Sequence, residues 1–260
     1  MIKFFRKIRQ QLLTENKIGR YLLYAIGEIV LVVIGILIAL QVNNWNEKQK
    51  QQQLEKEYYC RLLEDAMLDK EQLNNLLGLA QERLAASNQA VRLLHKGDVR
   101  KIDIGTQILL ATKAIYSDFK PNNSAYEDLK SGANLNIISD KSIIKALNLY
   151  FNKVEELKSI IMVNGKYAVD ILFAHTDNFA NGANQASLRN GRFSTGLDQD
   201  VKDAIQAGEN QFLSTAMKTR LANEALEYAS VNTRQMELYH DIMEEIIALE
   251  GLLQSKCQRD

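Results

Sequence analysis

Residues Tyr21 to Leu40 read YLLYAIGEIVLVVIGILIAL, twenty positions holding one charge, Glu28. As a helix this run rises ~30 Å, the hydrocarbon thickness of a bilayer. Ahead of it, Lys3, Arg6, Lys7, Arg9, Lys17 and Arg20 face a single acid, Glu15; from Asn43 onward 26 basic residues face 30 acidic ones. Basic flanks stay on the cytoplasmic side, so the N-terminus is expected inside and the bulk of the chain outside. Tyr21 and Tyr24 at one edge and Trp45 beyond the other stand where interfacial aromatics anchor a span. A cleaved signal peptide shares the basic start. Its apolar run is usually only ~7–15 residues, however, and the exit Leu40-Gln41-Val42-Asn43 lacks small residues at a cleavage spacing. The expected layout is a basic cytoplasmic segment over 1–20, a transmembrane helix over 21–42 and an extracytoplasmic domain over 43–260. That describes a single-pass protein of the cell inner membrane with a periplasmic domain.

Composition agrees with that plan. The 260 residues include 46% hydrophobic, 13 Gly, one Pro and two Cys, with 32 basic and 32 acidic side chains. Such a chain is long and apolar enough for a real core, which excludes disorder and small disulfide scaffolds. The charge balance excludes nucleic-acid binding driven by bulk charge. Scarcity of Pro and Gly favours long uninterrupted helices.

In the opening MIKFFRKIRQQLL, Phe5, Ile8 and Leu12 fall at helical spacing, and Lys3, Arg6, Lys7 and Arg9 fall on other faces. A segment of this kind lies among lipid headgroups and is drawn to anionic lipid. Within the span, Ala25, Glu28, Val32, Gly35 and Ala39 share one helical face. Small residues let helices approach closely, and an intramembrane acid is a functional candidate by default. Three readings stay open for Glu28: a protonated side chain bonded across a helix–helix contact, a side chain reaching back to the headgroups with no role, and a proton or cation relay shared with a partner.

Beyond the span the pattern is helical nearly throughout. Between Asn44 and His95, Leu54, Tyr58, Leu62, Ala66, Leu73, Leu77, Ala80, Leu84, Val91 and Leu94 keep a period near 3.6, and Gly97 ends the run. Leu213, Met217, Leu221, Ala225, Tyr228, Val231, Tyr239, Ile242, Ile246, Leu249 and Leu253 repeat the pattern near the C-terminus. The expected fold is all-α: an elongated antiparallel helical bundle, coiled-coil-like, with two long helices and shorter distal ones. Among the latter, Ile104–Ser117 reads as a helix, and Ser124-Ala125-Tyr126-Glu127 as a capping box opening the next. Asp140 opens a third, with Ile144, Leu147, Tyr150 or Phe151, Val154 and Leu157 on one stripe. Asn164-Gly165 is either a weak point in that helix or a hairpin turn. Residues 176–197 read as a long loop.

Chemistry-bearing motifs are scarce. His95, His175 and His240 are scattered, and His175-x-Asp177 supplies two ligands where a closed metal site needs about four. Phosphate-loop, nucleophile-elbow and metal-helix signatures are absent from the sequence. The pairs Glu155-Glu156 and Glu244-Glu245 read as solvated helix faces. No metal, cofactor or enzymatic activity is expected. Cys60 and Cys257 fall on the first and last long helices; a disulfide between them would clamp the pair, and the alternative is two unpaired thiols.

The opening through YLLYAIGEIVLVVIGILIALQVNNWNE, with the later SAYEDLKSGANLNIISDKSIIKALNLY, resembles a family of uncharacterised single-span membrane proteins common in Bacteroidota. That resemblance implies a bacterial envelope protein with a helical exported domain. It also implies that Gly27, Glu28, Gly35 and the Asn43-Asn44-Trp45-Asn46 exit form a shared device; it brings no activity or substrate. The expected function is a non-enzymatic periplasmic scaffold or interaction module, with the lipid bilayer, its own copies and other envelope proteins as partners, and no nucleic acid. The layout is also similar to proton-driven stator and energy-transducing subunits, which would give Glu28 a proton-coupled role. A periplasmic sensor signalling through a partner is the third expectation.

Overall fold

The computed structural model describes residues 18–116, 119–132, 134–174, 194–209 and 211–258. Six α-helices account for most of them: α1 (Ile18–His95), α2 (Lys101–Thr112), α3 (Ser124–Ser131), α4 (Lys141–Phe173), α5 (Gln199–Glu209) and α6 (Thr215–Cys257). Short 3-10 turns occupy Asn134–Ile137 and Ser194–Gly196. No strand forms among the described residues. One isolated antiparallel bridge, Arg100 to Phe212, ties the segment before α2 to the segment before α6.

The chain divides into two compact units, Met1–Lys56 and Glu57–Asp260. The described part of the first is helical from Ile18 onward, and its apolar side chains face outward: Leu31 is 72% exposed and Trp45 64%. This is the one helix, among the described residues, long and apolar enough to cross a membrane. Helix α1 runs unbroken to His95, straight through the boundary expected between residues 42 and 43. The reason is local: Gln41 to Asn46 contains neither Pro nor Gly, so nothing there halts the backbone ladder. Gly97, at φ +103, provides the stop.

In the second unit the apolar residues fall into two cores. One joins Tyr58 to Ala80 of α1 with Leu129 of α3, Ile143 to Ile161 of α4 and Leu238 to Leu253 of α6. The other joins Ala86 and Leu94 of α1 with Ile104 and Ile108 of α2, Ala168 and Val169 of α4, and Leu221 to Val231 of α6. Links between α1 and α6 keep one order: Cys60 to Cys257, Lys70 to Glu250 and Arg83 to Gln235 and Asn232, so that partner numbers on α6 fall as those on α1 rise. Side chains cap the starts of α4 and α6. Asp140 accepts the backbone N–H of Ser142 at the start of α4, and Ser214 that of Met217 at the start of α6.

Several boundaries differ from expectation. The helix expected over Ile104–Ser117 runs Lys101–Thr112. No capping box forms at Ser124: α3 begins there, and its cap Asn123 makes no side-chain bond. Instead Asp65, on α1, accepts the Ala125 N–H at 3.0 Å and the Ser124 hydroxyl, so the free donor of α3 is satisfied from another helix. Helix α4 passes straight through Asn164-Gly165, with no hairpin. Helix α5 fell outside the expected elements. The remainder of the loop expected over 176–197 lies outside the described residues up to residue 193.

Candidate functional site

The two cores of the second unit are separated by a polar layer. Arg83, 2% exposed, lies on the buried stripe of α1 between Ala80 and Ala86. Its Nε donates to Asn232 Oδ1 at 2.6 Å, its Nη2 to Gln235 Oε1 at 2.8 Å and its Nη1 to the Lys113 carbonyl at 3.3 Å. The two amides pass the bonds on. Asn232 Nδ2 donates to the carbonyls of Ala111 and Tyr228 at 3.1 and 2.8 Å, and Gln235 Nε2 to that of Ile115 at 3.3 Å. Carbonyls 111, 113 and 115 belong to the last turn of α2 and the turn after it, where a helix leaves acceptors unfilled and carries its negative end. One cation and two amides therefore close the C-terminus of α2. Gly165 of α4 completes the layer: a Cβ there would stand 2.8 Å from the Ile115 carbonyl oxygen. Burial pulls the Arg83 guanidinium below its ordinary range, yet the group remains charged because that range is so high.

A second polar cluster lies within the first core. Asp69, fully buried, accepts a short hydrogen bond from the Tyr150 hydroxyl and two more from Asn122, from the backbone N–H at 2.7 Å and Nδ2 at 2.8 Å. Burial raises the Asp69 pKa, and the bonds from Tyr150 and Asn122 oppose that rise. Burial also pushes the Tyr150 hydroxyl up, so it stays a donor. Gln72, one turn further along α1, exchanges bonds with the backbone of Lys120 at 2.7 and 3.0 Å. Asp65, Asp69 and Gln72 thus pin the segment 120–125 along one face of α1.

The residues singled out from sequence are distributed otherwise. Glu28 is half-buried on α1; Ala25 is half-buried, and Val32, Gly35 and Ala39 on the same face are exposed, with open space around Gly35. Tyr21 and Tyr24 belong to α1, but their side chains lie outside the described residues, as do Lys3, Arg6, Lys7 and Arg9 and the His175/Asp177 pair. Cys60 and Cys257 are joined in a disulfide with Cα atoms 5.0 Å apart. His95 donates through Nδ1 to the Val91 carbonyl, and His240 is exposed. Glu155, Glu156 and Glu244 are exposed and Glu245 is half-buried. No group of three metal-ligating side chains comes together among the described residues.

Sequence reading missed Arg83, Asn232, Gln235 and Asp69. On α1 it put Leu84 and Val91 on the buried stripe, whereas the structure buries Arg83, Ser87 and Ala90. The signal that could have found them is spacing: 73, 76, 80, 83, 87, 90 and 94 step by three or four throughout.

The fold and its polar layer define an all-helical protein with one long N-terminal apolar helix. Residues 28–167 match a family of unknown function (DUF6090), over more than half of the chain, and the chain belongs to that family. No curated protein and no solved structure matches it.

Proposed function

We propose that the protein is a non-enzymatic, membrane-anchored interaction module. The span over 21–42 inserts in the inner membrane with the basic N-terminus in the cytoplasm. The remainder folds in the periplasm as an antiparallel helical bundle that binds its own copies or other envelope proteins. The observation that carries this reading is the outward-facing apolar surface of α1, with Ile29, Leu31, Ile38 and Val42 each more than half exposed. A water-soluble monomer rarely leaves so large an apolar surface uncovered. The Cys60–Cys257 disulfide supports the compartment, because such bonds persist in oxidising surroundings. Gly35 and Ala39, exposed on the face that holds Glu28, support self-association through the span.

The test is made on intact cells with a C-terminally tagged chain. The chain should stay in the membrane pellet after alkaline washing. Its tag should be digested by protease added to spheroplasts, and cross-linking should give species larger than the monomer. Release by the wash, protection of the tag, or a strictly monomeric pattern would each refute a part of the reading. Glu28 inside the apolar run favours a second role, a proton-coupled accessory subunit. Unchanged proton-coupled work in a Glu28→Gln variant would exclude it.

A further inference from the structure

A cleft of about 400 Å³ opens beside the polar layer, with walls from α1 and α2. That volume lies within the usual range for small-molecule sites, which pair apolar walls with a few fixed polar groups. Leu79, Ala85, Ala86 and Leu110 supply the apolar wall, and Arg83 and Lys113 the cations. Glu82, exposed at the rim, is the one acid on this lining among the described residues. A guanidinium carries five N–H bonds. Arg83 uses three of them, all on neutral oxygens, and makes no ion pair among the described residues. Two N–H bonds remain beyond these three, and a carboxylate is the partner that matches the planar fork of a guanidinium.

We infer that this cleft is a binding site for a small amphipathic monocarboxylate, its carboxylate held by Arg83 and Lys113 and its short alkyl chain laid against Leu79, Ala86 and Leu110. The apolar wall rejects a fully polar anion such as phosphate, and the surplus cation rejects an alkylamine. The inference goes beyond the interaction role and does not depend on it, since every group involved lies in the second unit and none in the span.

The experiment uses the full chain in nanodiscs, with empty nanodiscs as the blank, and titrates hexanoate, hexan-1-ol and hexylamine calorimetrically. Hexanoate should bind saturably and hexan-1-ol about tenfold more weakly, the worth of one charge-assisted hydrogen bond. Leu110 is 43% exposed, so Leu110→Trp can fill the cleft without disturbing the core, and it should abolish binding. Lys113→Gln keeps the backbone carbonyl that Arg83 uses and should weaken hexanoate selectively. Absence of saturable binding, equal affinity for the three probes, or full binding by Leu110→Trp would each overturn the assignment.

Discussion

Gly165→Ala and Gly78→Ala are the same chemical change in two long helices, and the structure requires them to have opposite signs. In a helix interior, replacing Gly by Ala gains about 1 kcal/mol from backbone entropy and propensity. Gly78 is exposed, with nothing within 4 Å of a Cβ built on it, so it should realise that gain. At Gly165 the new Cβ falls 2.8 Å from the Ile115 carbonyl oxygen, where ordinary contact begins at 3.4 Å, and 3.7 Å from Gln235 Nε2. The carbonyl has to give way. It accepts the Gln235 bond at 3.3 Å, already long, and moving it leaves a buried acceptor without a donor. Overpacking costs about 1–3 kcal/mol and the orphaned acceptor a similar amount. After subtraction of the propensity gain, Gly165→Ala should destabilise the second unit by about 1–5 kcal/mol. Urea unfolding of the detergent-solubilised full chain, followed by the near-UV signal of its buried tyrosines, reads this directly. A Gly165→Ala protein as stable as the parent, or two variants that shift alike, would refute the layer as described.

Reduction of Cys60–Cys257, or its replacement by serines, removes a link between residues 197 apart and should lower stability by about 2–4 kcal/mol; dithiothreitol should then have no further effect on the serine variant. Tyr228→Phe should be neutral or stabilising by up to about 1 kcal/mol in thermal melts, since the buried Tyr228 hydroxyl has no partner among the described residues. The two acids should tilt the pH profile in opposite senses. Lys256 and then Ser142 hold the Asp140 pKa down to about 2, so this stabilisation is present above the ordinary 3.8 and is lost as pH falls toward about 2. An Asp140→Asn variant should lose that part of the acid sensitivity in urea midpoints measured across the range. Asp69 is raised by burial, so the folded state takes up its proton before the unfolded state does, and its contribution grows as pH falls through the folded value. Asp69→Asn should remove a slope of that opposite sign.

How much of this was legible in the sequence follows from what each signal depends on. The apolar run of α1 and the stripes of α4 and α6 are written in residue type at fixed spacing, and Leu147, Val154, Leu157, Leu221, Ile242 and Leu249 are buried as that spacing implies. Asp140 announced the start of α4 because a cap is a local event. The polar layer could not be found the same way. Arg83 and Ser87 occupy stripe positions that an apolar criterion passes over in favour of Leu84 and Val91. On α6 the same criterion skips from Val231 to Tyr239, the very interval that holds Asn232, Gln235 and Leu238. The capping box at Ser124 failed for a related reason: the motif describes what a local chain does alone, and Asp65, 60 positions away from Ala125, makes the better acceptor available.

The layer also explains how helices with such repetitive stripes choose one alignment. Steps of three and four along α1 and α6 mean that sliding one past the other by a turn would bring apolar residues opposite apolar residues again, with little loss of burial. Arg83 breaks that degeneracy. A shift of one turn would carry the guanidinium under Leu238 or Tyr228 and away from Asn232, Gln235 and the carbonyls of α2, leaving a buried charge with no acceptor. Asp69 imposes the same condition on the other core, because a slipped α1 would separate it from both Tyr150 and Asn122. These are positions of opposite charge, 14 residues apart on one face of one helix, each satisfied by neutral groups from different segments. The two ask for opposite partners: Arg83 needs acceptor oxygens, and Asp69 needs N–H and O–H donors. A slip in either direction is therefore penalised twice. The register that results is the one that sets Leu110 and Lys113 beside Arg83 and gives the cleft its mixed apolar and cationic lining.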